Sequence, residues 1–180
     1  MNKIAILFMF TCLLLLTSCS IRYIRYRRAV DKLQCNEISE SEFDKKFYSF
    51  KKHFVNDTSG LIKFKGAYVY QDKDLAYRFY KFSAGGQMFG SHRMAEYPTQ
   101  ISMLNNFSGK FYYRIIEENR IELEYLNVRD WNLYNNVISG FVSGDTLLFT
   151  EIRTVQIPWL KPDKISRKCI YDSTLTVSPT

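Results

Sequence analysis

A strict alternation of apolar and charged residues near the middle of the chain constrains the fold most. Residues 121–125 read Ile-Glu-Leu-Glu-Tyr, which puts three apolar side chains on one face of a strand and Glu122 and Glu124 on the other. The segment 111–116 comes before it in the sequence, and a short turn separates the two. This segment shows the same period of two. The two segments predict an antiparallel hairpin whose buried face carries Phe111, Tyr113, Ile115, Ile121, Leu123 and Tyr125.

Strand-like segments of this kind occur from residue 61 to residue 177. The chain of 180 residues contains 14 Phe and 13 Tyr but only 8 Gly and 4 Pro, and aromatic residues favour strands. The pattern predicts an all-β fold, an antiparallel up-and-down barrel or meander of about eight strands, since closure removes the free edges. A short helix is expected near 98–104 and a loop over 155–166. The predicted strands are 67–71, 77–83, 87–91, 111–116, 121–128, 131–140, 146–154 and a last one over 169–177.

The N-terminus predicts a signal peptide over residues 1–18. Lys3 precedes an apolar run over 4–16 that is too short to span a bilayer. The sequence Leu16-Thr17-Ser18-Cys19 resembles the bacterial lipobox. This resemblance implies cleavage before Cys19, acylation of that residue with fatty acids such as palmitate, and attachment to a membrane. An ordinary signal peptide or a signal anchor is the alternative.

The residues after Cys19 bear on the location. Enterobacterial lipoproteins that stay at the inner membrane commonly carry Asp at the next position, and here Ser20 implies the outer membrane. No acidic cluster follows, which favours the periplasmic side. Residues 19–38 are interpreted as a lipidated basic tether in a chain of net charge +7. It is expected to contact the membrane surface, or else to be merely solvated, and nucleic acid is not expected as a partner because the envelope contains none. The basic side chains are Arg22, Arg25, Arg27 and Arg28.

Residues 39–60 are interpreted as an amphipathic helix followed by a turn. Ser39 and Glu42 have the spacing of a capping box. Phenylalanines then recur at helical spacing, which predicts a helix over about 40–55. The stripe is expected to pack across a barrel mouth or sheet face, and a partner groove or ligand lid is the alternative. The stripe consists of Phe43, Phe47, Phe50 and Phe54.

The order of motifs in the second half resembles a known kind of envelope protein. Gly66-Ala67-Tyr68 opens the first strand much as Gly-x-Trp opens lipocalins. The segments 109–115, 119–124 and 140–147 follow in an order similar to the small lipocalin-like domains of Bacteroidetes-type lipoproteins. The resemblance implies a lipocalin-like barrel over residues 61–177, with 178–180 as a tail.

The remaining residues with reactive side chains give little support for catalysis. Cys35 and Cys169 are left after processing, and an oxidising compartment predicts a disulfide between them, with two separate thiols as the alternative. His53 and His92 have no metal-ligand spacing to other residues, so neither a metal nor a cofactor is predicted.

Glu122 and Glu124 lie roughly 7 Å apart by strand rise, near the separation of a glycosidase pair. Both are expected on the wet outer face, and no enzymatic activity is predicted.

Two functions from different classes follow from a lipid-anchored barrel. The first, which the lipocalin resemblance favours, is a carrier that holds a small apolar molecule inside the barrel. The second is a filled barrel that acts as a structural or accessory subunit of an envelope complex. The size of the inward-facing side chains distinguishes them, because large rings leave no cavity. The sequence predicts neither the ligand, the partner nor the oligomeric state.

Overall fold

The computed structural model describes residues 21–52, 60–98, 100–102 and 107–178. The predicted signal peptide 1–18, the lipidation residue Cys19, and His53 and Phe54 lie outside these residues. Within them, the prediction of an all-β fold is confirmed. Eight strands close into an antiparallel barrel, and three helices precede it along the chain.

The barrel strands pair in the order of the sequence, and a longer connection lies between the third and the fourth of them. They are β1 (Ala67–Gln71), β2 (Tyr77–Phe82), β3 (Gln87–Ser91), β5 (Phe107–Ile116), β6 (Arg120–Arg129), β7 (Asn132–Ser143), β8 (Thr146–Thr154) and β9 (Asp163–Asp172). The barrel closes where β1 pairs with β9, with Tyr68 opposite Tyr171. A Cβ at Gly66 would lie 1.9 Å from the carbonyl oxygen of Asp172, so only glycine fits beside this seam.

Two short strands lie outside the barrel. β4 (Gln100–Ser102) and β10 (Thr176–Ser178) pair in parallel, and Ile101 and Leu175 pack against the outward-facing ring of Phe79. The expectation of a helix near residues 98–104 is wrong. An extended segment forms there because its partner strand comes from the C-terminus, a contact that no local pattern reveals.

The β6–β7 turn is a two-residue turn formed by Asp130 and Trp131. Their φ angles are 50° and 61°, so both residues are left-handed. A bulky residue in this region is strained, and such strain often marks functional positions. Trp131 was expected to begin the strand, but β7 begins at Asn132.

Residues 21–34 form a helix, α1, where a tether was expected. Its end is a Schellman motif in which Glu37 N donates to Lys32 O at 2.8 Å and Asn36 N donates to Leu33 O at 3.1 Å. Asn36 has φ 58°, which closes this turn. The segment is helical and not extended, because the Tyr26 ring packs on the next helix and the Tyr23 ring packs on Trp131. Its lipidation and its contact with the membrane remain predictions.

The predicted capping box starts the second helix. In α2 (Glu40–Phe47), Ser39 N donates to a Glu42 carboxylate oxygen at 2.8 Å, and Glu42 N donates to the Ser39 hydroxyl at 3.2 Å. The helix breaks at Tyr48, and a separate turn, α3 (Ser49–Lys52), follows. A continuous helix over 40–55 is therefore not observed.

The helices cover part of the outer surface of the barrel. Phe43, Phe47 and Phe50 are buried in one cluster with barrel residues Tyr112 and Val137. The ring of Tyr26 from α1 lies 5.7 Å from Phe43 and 5.4 Å from Phe47, measured between centroids. The three described residues of the phenylalanine stripe are thus core, packed on a sheet face.

Candidate functional site

The six residues predicted to line the barrel all lie on its inner face. They are Phe111, Tyr113, Ile115, Ile121, Leu123 and Tyr125. Tyr113, Ile121 and Leu123 are fully buried, and the other three pack against the same cluster from partly buried positions. The register explains this, because Tyr113 pairs with Leu123 and Ile115 with Ile121 across the β5–β6 hairpin.

Aromatic rings fill most of the interior. The Phe82 ring lies 5.4 Å from Tyr68 and 5.1 Å from Tyr113, and Tyr80 lies 6.0 Å from Phe149. These are edge-to-face contacts, the favourable arrangement for ring pairs. At one end a cavity of about 130 Å³ remains, whereas sites for drug-sized ligands are roughly 300–1,000 Å³. The cavity is lined by Arg78, Tyr80, Met88, Gly90, Ser91, Gly109, Phe111, Leu123, Ile138, Phe149 and Arg167.

The two cysteines lie in different environments. Cys169 is buried inside the barrel and Cys35 is exposed just after α1, and both are free thiols. The predicted disulfide is therefore not formed. The Cys169 side chain points into the closed interior, whereas Cys35 lies on the solvent side of the helices. Burial raises the pKa of the Cys169 thiol to about 12.

Glu122 lies on the outer face as predicted, but it is buried instead of wet, with 2% of its surface exposed. Arg114 Nη2 lies 2.7 Å from one carboxylate oxygen, and Arg153 Nη2 lies 2.9 Å from the other. Arg114 reaches it from the opposite position on β5. Two cations thus share one buried anion, and the Arg114 guanidinium also stacks on the Phe50 ring at 4.2 Å.

Glu124 is also buried, with 1% of its surface exposed, because the helices cover it. Its Oε2 accepts the N–H of Phe50 at 2.8 Å, and its Oε1 accepts the Ser49 hydroxyl at 2.9 Å. Asn135 donates both to Glu124 and, at 3.0 Å, to the Phe47 carbonyl. The end of α2 and the start of α3 are therefore satisfied by polar groups of the barrel, which explains the break at Tyr48.

A third buried carboxylate belongs to α2. Lys110 Nζ lies 2.6 Å from Asp44, and the Tyr112 hydroxyl donates to the same carboxylate. Burial and the hydrogen bond to Asp44 raise the pKa of Tyr112 to about 12. Burial alone would lower the pKa of Lys110, but hydrogen bonds to Asp44 and Glu40 outweigh it and raise that pKa. Asp44 and Glu124 thus join the helices directly to the barrel, and Glu122 holds Arg114, which stacks on Phe50 of α3.

An open groove of about 470 Å³ lies beside Glu122. Its polar wall consists of the half-exposed guanidinium groups of Arg114 and Arg153, and its other wall is mostly apolar. Such a groove offers positive charge next to apolar surface. It is lined by Ser49, Phe50, Arg114, Val137, Arg153, Thr154, Val155, Ile157, Pro158, Leu160 and Pro162.

The predicted membrane-contact arginines divide into two groups. Arg22 donates to the side chain of Asn135 and so contacts the barrel. Arg25, Arg27 and Arg28 are exposed. The first turn of α1 also contacts the β6–β7 turn, where the Tyr23 ring meets the Trp131 ring edge to face at 5.8 Å.

Ser91 and His92 are adjacent at the end of β3, and their contacts are structural. The Ser91 hydroxyl accepts the Phe79 N–H at 2.8 Å and donates to the His92 carbonyl at 2.7 Å, while the His92 side chain is exposed. Among the described residues, no group of three or more His, Cys, Asp or Glu side chains is placed to hold a metal ion.

Comparisons with known proteins return no match to this chain. No family model fits the sequence, and no curated protein or solved structure is significantly similar to it. In the part of the chain that the structure describes, no helix is both long and apolar enough to cross a membrane.

Proposed function

We propose that this chain is a lipid-anchored accessory lipoprotein of the cell envelope, held at the periplasmic face of the outer membrane. In this proposal the barrel is a filled scaffold that docks to an envelope complex, and it does not transport a ligand. The lipid on Cys19 attaches the protein, and the basic face of α1 lies on the membrane surface.

The position of α1 relative to the lipobox carries the proposal. Helix residues are present from Ile21, two positions after Cys19 in the sequence. A lipid at Cys19 therefore brings the first turns of α1 to the headgroup layer. Arg25, Arg27 and Arg28 are exposed there, and each basic residue near an anionic leaflet contributes about 1 kcal/mol.

The packed interior favours the accessory role over the carrier role. Fully buried rings of Tyr68, Phe82 and Tyr113 occupy the volume that a ligand would need. The cavity of about 130 Å³ that remains is below the size of ordinary small-molecule sites.

Metabolic labelling tests the anchor. Cells that express the chain are grown with a clickable palmitate analogue, and the protein is isolated and examined for label. The wild-type protein should carry the label, whereas Cys19→Ala should carry none and keep its signal peptide, because only a thiol accepts the lipid. Unlabelled wild-type protein would exclude the lipoprotein assignment.

Co-sedimentation with vesicles tests the contact of α1. The mature chain without lipid should bind vesicles with anionic lipid more tightly than neutral vesicles. Replacing Arg25, Arg27 and Arg28 together by Gln should weaken this binding by up to roughly a hundredfold. Arg28→Gln and Lys65→Gln remove one exposed charge each, and only the first should weaken binding. Equal effects of the two would mean that net charge alone drives adsorption.

A further inference from the structure

The exposed apolar side chains are concentrated at one end of the barrel. Neighbouring barrel strands are antiparallel, so the β1–β2, β6–β7 and β8–β9 connections leave the barrel at the same end. Leu75, Trp131 and Trp159 lie in these connections and are 69%, 77% and 80% exposed. We call this the tryptophan end.

Further exposed apolar residues lie at the same end. Val128 is near the end of β6, Val155 directly follows β8, and Leu160 lies in the β8–β9 connection. Ile21 and Ile24 join them, because Tyr23 of the same helix touches Trp131. These residues account for eight of the eleven large hydrophobic side chains that are exposed in the described part of the chain.

The opposite end has a different composition. Its connections are 83–86, 117–119 and 144–145, which read Ser-Ala-Gly-Gly, Glu-Glu-Asn and Gly-Asp. They contain three acidic residues and no aromatic ring. The asymmetry between the two ends is not expected of a barrel that is surrounded by water on all sides.

Three of the acidic groups at the tryptophan end are paired. Arg93 forms ion pairs with Asp72, at 2.7 Å, and with Asp74. Asp130 lies 3.3 Å from Arg129. The pairing reduces the repulsion that these carboxylates would otherwise meet at an anionic surface.

We propose that the tryptophan end is a membrane-docking surface, with the rings of Trp131 and Trp159 in the interfacial layer of the bilayer. Tryptophan prefers this layer because its ring is apolar and its N–H is polar. The occupant is a lipid surface because Trp131 touches α1 close to the point where the chain continues toward Cys19. This inference rests on the proposed lipid anchor, and it adds the orientation of the barrel, with the end opposite the tryptophans facing away from the membrane.

Quenching by brominated lipids tests the orientation with the lipidated protein. Protein purified from membranes is reconstituted into vesicles whose acyl chains carry bromine, and its attachment is verified by flotation. Two single-tryptophan variants, Trp131→Phe and Trp159→Phe, each leave one ring to report. As a matched control, Ala84→Trp with both native tryptophans replaced by Phe places one ring in the exposed β2–β3 connection at the opposite end.

Both native rings should lose most of their emission in brominated vesicles, relative to the same lipids without bromine, while the ring at position 84 should lose little. If the protein floats with the vesicles and the native rings emit as before, the docking surface is excluded although the anchor holds. Equal quenching at position 84 would exclude a defined orientation. A protein that does not float at all would overturn the anchor itself, and this inference with it.

Discussion

Glu124 Oε2 accepts the backbone N–H of Phe50 at 2.8 Å, which joins barrel strand β6 to the first turn of α3. Both groups are buried, and the carboxylate lies where the positive end of the turn needs an acceptor. Asn135 bridges the same carboxylate to the carbonyl of Phe47. The outer surface of the barrel thus determines where one helix ends and the next begins.

Replacing Glu124 should destabilise the protein substantially. Glu124→Ala leaves the N–H of Phe50, the Ser49 hydroxyl and an Asn135 donor without their acceptor, which should cost roughly 3 kcal/mol of unfolding free energy. Urea denaturation measures this value. Glu118→Ala removes an exposed glutamate in the β5–β6 turn and should change the value by less than about 0.5 kcal/mol. A similarly small effect at Glu124 would show that the helices do not depend on this contact.

The barrel was predictable because its signal is local. A period of two along 121–125 determines which side chains share a face, and the hairpin register follows from the short turn. The same period correctly predicts that Glu122 and Glu124 face outward from the barrel. The expectation that both are exposed to water is wrong. Glu124 is covered by α2 and α3, and Glu122 is enclosed by Arg114 and Arg153 of other strands. Alternation predicts which face of a strand a residue occupies, but it does not predict what packs on that face.

The break at Tyr48 and the strand β4 were missed for the same reason. The helical period of the phenylalanines continues past Tyr48, and only the buried acceptor Glu124 interrupts it. The Schellman turn at Asn36 did have a local signal, since Asn is a residue that accepts a positive φ. The arginines of α1 predict a charged surface, but the packing of this helix depends on Tyr26 and Ala29 on its other side.

Thiol titration should separate the two cysteines. In the mature protein without Cys19, Cys35 is exposed and should react with a thiol reagent at once, whereas Cys169 is sealed in the barrel. Its pKa of about 12 also keeps it protonated at neutral pH. One thiol per chain should therefore react in the native protein and two after unfolding. No reaction until a reductant is added would mean that the two cysteines are bonded after all.

Alkaline unfolding should depend on Tyr112. Burial and its hydrogen bond to Asp44 raise its pKa from 10.0 to about 12, so the folded protein holds this proton more tightly than the unfolded chain. The resulting stabilisation is complete below pH 10 and is lost as the pH rises toward 12. Tyr112→Phe cannot ionise, so its unfolding free energy should fall less steeply over this range. Parallel curves for the two proteins would contradict the proposed role of this hydroxyl.

A single charge introduced into the interior should distinguish a filled barrel from a carrier. Leu123 is fully buried between β5 and β7, so Leu123→Arg buries an unpaired cation and should prevent folding or cost several kcal/mol. Ile170→Arg places the same charge at a position on β9 that is 45% exposed, and it should fold normally.

Thermal melting and the binding of a neutral apolar fluorophore are measured for both variants and for the wild type. A filled barrel predicts a wild type that binds no fluorophore, together with a Leu123→Arg variant that does not fold. A wild type that binds the fluorophore, with a Leu123→Arg variant that folds but no longer binds it, would show instead that the interior is a ligand cavity.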